Sequence, residues 1–219
     1  NRFSIFRIAG QVNIETGINS PRFLDMTPLN AICVFCGSAG GVRPSHRDQA
    51  ARLGALIASA SVELVFGGGN AGLMGALADG ALAAGGRVTG VIPDRLERQE
   101  HAHQGIDELC VVESMHARKQ KMFELSDAFV ALPGGYGTLD ETFEIITGKQ
   151  LGLHDKPVVV VDQDGYWERL DGLVDFMVAE GFVSEQSRAL YTTVPSVDQV
   201  LATLAAEPEP IPDTDPSRL

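Results

Sequence analysis

From Ala31 onward, short apolar runs alternate with longer stretches in which apolar residues recur every three or four positions. The runs predict strands at Ala31–Phe35, Glu63–Phe66, Arg87–Ile92, Leu109–Val112, Ala128–Leu132 and Pro157–Asp162, with a weaker one at Leu190–Val194. The amphipathic stretches predict helices at Ser45–Ala60, Gly72–Ala84, Met115–Leu125, Leu139–Gln150, Trp167–Glu180 and Val197–Ala205, the last capped by Ser196. Strands separated by helices of this length imply βαβ units and a doubly wound parallel sheet, an α/β fold in a single domain over residues 31–206. Residues 1–30 are a poorly patterned extension, within which Met26 reads as the natural start. Residues 207–219 form an acidic, proline-rich tail.

Such sheets bind ligands beyond the carboxyl ends of their strands. Three predicted strands run there into glycine or small residues, at Cys36–Gly41, Gly67–Gly72 and Pro133–Thr138. They are expected to converge on one rim and to line a cleft with backbone N–H groups, with Ser38, Gly68, Gly69 and Gly134 among the candidate phosphate contacts. Gly67 to Gly72 is a literal Gly-x-Gly-x-x-Gly. Its usual companion, an acid closing the next strand to hold a ribose hydroxyl, is missing, because Asp94 comes only after Pro93. With that acid and any redox residue pattern lacking, a nicotinamide or flavin enzyme is disfavoured, and tight backbone packing is the alternative reading of these glycines.

The third loop says most. Leu132-Pro-Gly-Gly-Tyr-Gly-Thr-Leu-Asp-Glu141 leaves a buried strand and enters a helix. Its glycines let amides close on a phosphate at a helix N-terminus, and Glu141 places a carboxylate one turn further in. Thr138 and Glu141 also fit a Thr-x-x-Glu capping box, so capping and catalysis both remain open for Glu141. In the predicted helix 115–125, Met115, Arg118, Met122 and Leu125 share one stripe. Arg118 therefore interrupts an apolar face and needs an anionic partner, either a structural carboxylate or a phosphate with Glu141. Lys119 flanks it.

Composition narrows the classes. Asp and Glu total 29 against 17 Lys and Arg, a net charge of −12, which argues against nucleic acid or an anionic membrane as partner. No apolar run is long enough to span a bilayer, and no secretory signal pattern opens the chain. Three cysteines are too few for a disulfide framework and point to a reducing, cytoplasmic setting. Cys33 and Cys36 overlap the first strand and read as small buried hydrophobes. The five histidines lack metal-ligand spacing and read as surface or loop residues, so neither a metal nor a cofactor is expected. No Gly-x-Ser-x-Gly elbow supports a hydrolase triad.

On these residues the chain resembles the Lonely Guy family, the cytokinin riboside 5′-monophosphate phosphoribohydrolases. The likeness rests on Pro133-Gly-Gly-x-Gly-Thr-x-x-Glu141 and Met115-His-x-Arg-Lys119, and runs from about Ile32 to about Val183. Phe66-Gly-Gly-Gly69, Gly90-Val-Ile-Pro93 and Gln150-Leu-Gly-Leu-His-Asp-Lys-Pro157 also belong to it. The resemblance implies a Rossmann-like fold and a homodimer or larger assembly. It implies hydrolysis of the N-glycosidic bond of cytokinin riboside 5′-monophosphates or AMP, releasing an adenine-type base and ribose 5-phosphate. Arg118 and Glu141 match the family's catalytic pair. Substrate contacts carry over to Glu100, Arg118, Lys119, Gly135, Tyr136, Gly137, Thr138, Leu139, Asp140, Glu141 and Thr147, with Met115 beside them. Two positions depart from the family: Asp140 stands for a frequent glutamate, and Gly148-Lys149 for a frequent Trp-Ala ahead of Gln-Leu-Gly.

Two rivals use the same residues differently. A carrier or sensor of a phosphorylated ligand, like the molybdenum-cofactor carriers, would keep the glycine loops without needing Arg118 and Glu141 together. A lysine decarboxylase would need a pyridoxal-phosphate lysine, and of the four lysines only Lys119 lies near a suitable position.

Overall fold

The computed structural model describes residues 29–206 apart from His101, with the side chains of 98–100 also left aside. The extension with Met26, and the acidic tail, lie outside the described residues. Among the described residues, seven strands form one parallel sheet: β1 (Ala31–Phe35), β2 (Glu63–Phe66), β3 (Val88–Pro93), β4 (Glu108–Val112), β5 (Ala128–Ala131), β6 (Val158–Val161) and β7 (Thr192–Val194). Seven α-helices accompany them within the same residues: α1 (Pro44–Ser59), α2 (Gly72–Ala83), α3 (Asp94–Glu100), α4 (Met115–Leu125), α5 (Tyr136–Gln150), α6 (Glu168–Ala179) and α7 (Val200–Ala206).

The strand order is β4-β3-β2-β1-β5-β6-β7. The chain winds outward from β1 through β4, then returns to β5 on the other side of β1. That reversal is a topological switch point, where the loops after two adjacent strands diverge and leave a crevice. Val34 pairs with Phe66 on one side and Val130 on the other, which brings all three glycine loops to the same rim.

Alternate residues of the strands face opposite layers. Ile32, Val34, Leu64, Phe66, Val130 and Val159 pack with α1, α2 and α7, while Cys33, Phe35, Val65 and Phe129 pack with α4 and α5. Both faces are covered at the centre of the sheet, so β1, β5 and β6 are apolar throughout, as a parallel sheet requires. Cys33 and Cys36 are buried free thiols, and burial pushes both well above the usual thiol range, so the small-hydrophobe reading stands.

Several sequence expectations shift. Helix α3 had no predicted counterpart, because its seven residues, DRLERQE, carry only one apolar position. The predicted 197–205 helix divides into a 3-10 turn, Val197–Gln199, and α7, and Ser196 caps the turn through Asp198 N. His46 is buried on α1 against Gln163, not at the surface or in a loop, and His103 is a buried loop residue hydrogen-bonded to Asp79. Nearby hydrogen-bond partners let an imidazole be buried.

Helices α1 and α2 meet through glycine. A Cβ at Gly54 would sit 2.1 Å from the Leu77 carbonyl oxygen, and one at Gly80 would sit 2.0 Å from the Ala51 oxygen. Helix propensity alone favours Gly80→Ala by about 1 kcal/mol, whereas the backbone separation needed to admit a methyl costs roughly 1–3 kcal/mol or more. Packing therefore decides: Gly80→Ala should lower the urea midpoint, with a net loss of about 1–2 kcal/mol and an unchanged m-value.

Candidate active site

Helix α4 begins at Ser114, whose Oγ accepts from Ala117 N, and that start aims Arg118 into the molecule. The arginine is only 6% exposed. Its Nε donates to the Val91 carbonyl at 3.0 Å and its Nη2 to the Gly67 carbonyl at 3.2 Å. Nη1 lies 3.8 Å from Met115 Sδ and 3.6 Å from Glu141 Oε1. Neutral carbonyls within β3 and just after β2 thus hold the guanidinium in place without cancelling its charge. A Cβ at residue 67 would lie 2.0 Å from Nη2, so only glycine leaves room for the arginine. That is the physical reason for the first glycine of the Gly-x-Gly-x-x-Gly pattern.

Glu141 comes from α5 and is 7% exposed. Its capping role is excluded by where the helix starts. Helix α5 begins at Tyr136, three residues ahead of the predicted start, with Gly135 as N-cap and no side-chain cap. Thr138 consequently lies inside the first turn, buried against Gly134, and Glu141 lies a further turn along. Burial raises the Glu141 pKa above the ordinary carboxylate value; Arg118 and Lys119 pull it back, while Asp140 and Glu144 push it further. At 3.6 Å the Arg118 contact is an ion pair too long for a strong hydrogen bond, leaving the carboxylate oxygens available.

The glycine loops do converge. Gly37 N donates to the Pro133 carbonyl at 3.1 Å, and Leu73 N to the Gly37 carbonyl at 2.9 Å. At the start of α5, Gly135, Tyr136 and Gly137 are exposed, and Tyr136 is 93% so. The amides of the first helical turn have no intrahelical acceptor, which makes this opening a site for an anion. From Tyr136 to Glu141 the helix rises about 7.5 Å, comparable with the length of a ribose 5-phosphate.

The remaining candidates divide. Lys119 bridges Asp140 and Glu144, and the hydrogen bond to Glu144 is the main cause of its raised pKa. Ser38 is exposed on the β1–α1 loop beside α2. Leu139 packs partly buried near Trp167. Gly68 and Gly69 are buried under the segment that follows α3: His103 N donates to the Gly68 carbonyl, and Gly69 bridges Ala102. Thr147 faces elsewhere, lining a cavity of about 200 Å³ between α5 and α6 with Leu170, Val174 and Tyr191. Glu100 ends α3, and its side chain lies outside the described residues. A second cavity, about 180 Å³, opens beside Glu141 and is lined by Phe35, Phe123, Glu144, Leu153 and His154. It borders Gly148, where a side chain would press on the His154 ring.

Two contacts escaped sequence reasoning. Glu144 pairs with Lys119 across α4 and α5, and the Tyr166 hydroxyl donates to the Gly134 carbonyl at 2.6 Å. The first had a weak signal, being one turn past Asp140 on the same helix. The second had only the Asp164-Gly165 turn as a cue.

An open parallel sheet with an exposed helix start and a buried Arg–Glu contact at its switch point defines a Rossmann-like α/β protein. Its fold resembles the molybdenum cofactor carrier protein of Chlamydomonas reinhardtii, with a TM-score of 0.63 at 23% identity over 80% of this chain and 96% of that one. It also resembles the molybdenum cofactor binding protein of Rippkaea orientalis, with a TM-score of 0.62 at 23% identity over 80% and 95%. At that identity the likeness concerns the fold alone. Residues 74–204 match the model of a family described as possible lysine decarboxylase. A probable cytokinin riboside 5′-monophosphate phosphoribohydrolase of Oryza sativa subsp. japonica is 42% identical over 201 residues, 92% of this chain and 86% of the relative. A cytokinin riboside 5′-monophosphate phosphoribohydrolase of Arabidopsis thaliana is 44% identical over 173 residues, 79% and 81% respectively. The chain belongs to the Lonely Guy family of cytokinin riboside 5′-monophosphate phosphoribohydrolases.

Gly67→Ala tests the geometry. The added methyl must displace the Arg118 guanidinium, so activity should fall at least about 100-fold, as for a lost charge-stabilising donor. A crystal structure or the Arg118 side-chain NMR resonances should report the displacement. The fall is expected even though the fold persists.

Proposed function

We propose that this protein hydrolyses the N-glycosidic bond of nucleoside 5′-monophosphates, AMP or an N6-substituted adenosine monophosphate, giving the free base and ribose 5-phosphate. The carrying observation is the buried Arg118–Glu141 contact one and a half turns from an open helix start. The 5′-phosphate seats on the amides at the start of α5. As the bond from C1′ to the base breaks, its electron pair leaves with the base, which takes up a proton, and C1′ gains positive charge. An ionised Glu141 stabilises that charge and orients the water whose hydroxyl adds to C1′. Arg118 holds the carboxylate in register and favours its ionised form, against the burial that favours the neutral one. Anchoring the remote phosphate positions the reacting carbon.

The lysines do not fit a pyridoxal-phosphate enzyme. A Schiff base needs an amine that deprotonates easily beside the phosphate, and Lys119 is shifted the opposite way by two carboxylates. Lys149, in the last turn of α5, and Lys156, just ahead of β6, stand at the amino rim of the sheet, away from the glycine loops. Lys121 lies near Cys110, on the β4 side of α4.

The active form in this reading is a homodimer or larger assembly. Thr147, a substrate contact implied by family likeness, lines a cavity separate from the Arg118–Glu141 site, and a second copy would bring it into play. Leu173, Phe176 and Phe182 lie exposed on and after α6, an apolar surface suited to such a contact. Free cysteines fit a cytoplasmic setting. Among the described residues, no helix is long and apolar enough to cross a membrane.

Incubation with AMP and with isopentenyladenosine 5′-monophosphate should release free base, read by chromatography; nucleotide bound but uncleaved would favour a carrier. Glu141→Gln should cut turnover by roughly 100-fold or more while shifting the melting temperature by no more than about 2 °C. The carboxyl binds its proton more tightly in the folded chain than in the unfolded one. Its contribution to stability is therefore present below the ordinary glutamate range and is lost as pH rises through the raised value. Activity runs the other way, since only the ionised form serves. The acid limb of kcat should fall at a pH above the usual glutamate value of about 4.3, and Glu141→Gln should abolish that limb.

A further inference from the structure

Gly134 lies against the Thr138 side chain, which a Cβ at 134 would meet at 2.0 Å, whereas the Cβ position of Gly135 faces open space. One hydrogen bond fixes the plane of the peptide between them. The Tyr166 hydroxyl donates to the Gly134 carbonyl at 2.6 Å. In a planar trans peptide the carbonyl and the following N–H point in opposite directions. A Gly134 carbonyl turned to Tyr166 therefore directs the Gly135 N–H to the other side of the loop.

The tyrosine is itself held on two sides. Its ring packs edge-on against Trp167, with centroids 4.8 Å apart at 90°, and against buried His46 at 5.7 Å and 78°. His46 Nδ1 contacts Gln163 Oε1 at 3.4 Å, and Gln163 Nε2 donates to the Ser45 carbonyl at 3.3 Å. The turn ahead of α6 passes through Asp164 and Gly165 at φ 56° and 70°, and Asp162 Oδ1 accepts from Trp167 N at 2.5 Å. These contacts join the β1–α1 and β6–α6 connections around the ring, beside a cavity of about 360 Å³ lined by Arg43, His46, Gln163 and Tyr166.

We infer that Tyr166 is a positioning residue for phosphate recognition: its hydroxyl sets the plane of the Gly134–Gly135 peptide and so aims the Gly135 N–H at the substrate's 5′-phosphate. The inference rests on the phosphate site proposed above. With the remaining amides still anchoring the phosphate and the reacting carbon still in place, losing one aimed N–H weakens binding without slowing the bond cleavage.

Tyr166→Phe removes the hydroxyl and keeps the ring. With AMP, KM should rise about fivefold, the worth of one hydrogen bond, while kcat stays within about twofold. The inhibition constant of ribose 5-phosphate should rise by the same factor, that of free adenine should not move, and the melting temperature should hold. Unchanged KM and ribose 5-phosphate inhibition overturn the inference. Equal weakening of adenine and ribose 5-phosphate also overturns it, assigning Tyr166 to packing. If the native protein releases no base, the functional reading fails separately, and calorimetric titration of both proteins with ribose 5-phosphate decides the role of Tyr166: weaker binding by the variant supports it, and equal or absent binding overturns it.

Discussion

The structure depends on burying one guanidinium. Taking an arginine out of water without compensation costs several kcal/mol or more, and most proteins avoid it. Here Arg118 is received by the carbonyls of Gly67, just after β2, and Val91, within the adjacent β3, and by the Glu141 carboxylate across the crevice. The two carbonyls take two of its N–H donors but leave its charge in force, and that charge acts on Glu141. Much follows from this arrangement. Residue 67 is glycine, α4 carries a cation on its buried face, and an acid survives in the second turn of α5.

The contact also divides the work of the rim. In the proposed reading anion recognition belongs to the start of α5, where backbone amides need partners and Gly135 and Gly137 carry no side chain. The charge chemistry of that reading belongs to the interior, where low dielectric makes the Arg118–Glu141 pair felt more strongly than at the surface. Lys119 sits between the two, bound to Asp140 and Glu144, and ties α4 to α5 at the mouth. The same sheet appears in molybdenum-cofactor carriers at 23% identity. A scaffold so shared says little of chemistry, which lies in the side chains set on it. The label of possible lysine decarboxylase carried by the matching family model sits poorly with these side chains for the same reason: no lysine beside the glycine loops has the environment that chemistry needs.

Most of the architecture was legible from the sequence by itself. Strands β1 and β2 and helix α4 fall where periodicity predicts, since apolar runs of that length between amphipathic helices have few other ways to bury themselves. The converging glycine loops and the demand of Arg118 for an anionic partner were also readable, the second because an unpaired buried charge is untenable. Only the tertiary structure decided which partner Arg118 takes and that Glu141 does not cap α5. The capping box at Thr138 obeyed a local rule, yet α5 starts earlier, at Tyr136, and leaves Thr138 inside the first turn. Short α3 carried no periodic signal, and the burial of His46 and the reach of Tyr166 to Gly134 join connections more than thirty residues apart in sequence. Local patterns determine which elements form. Long-range packing determines which side chains meet, because that depends on strand order and close approach, and neither is written in any one segment.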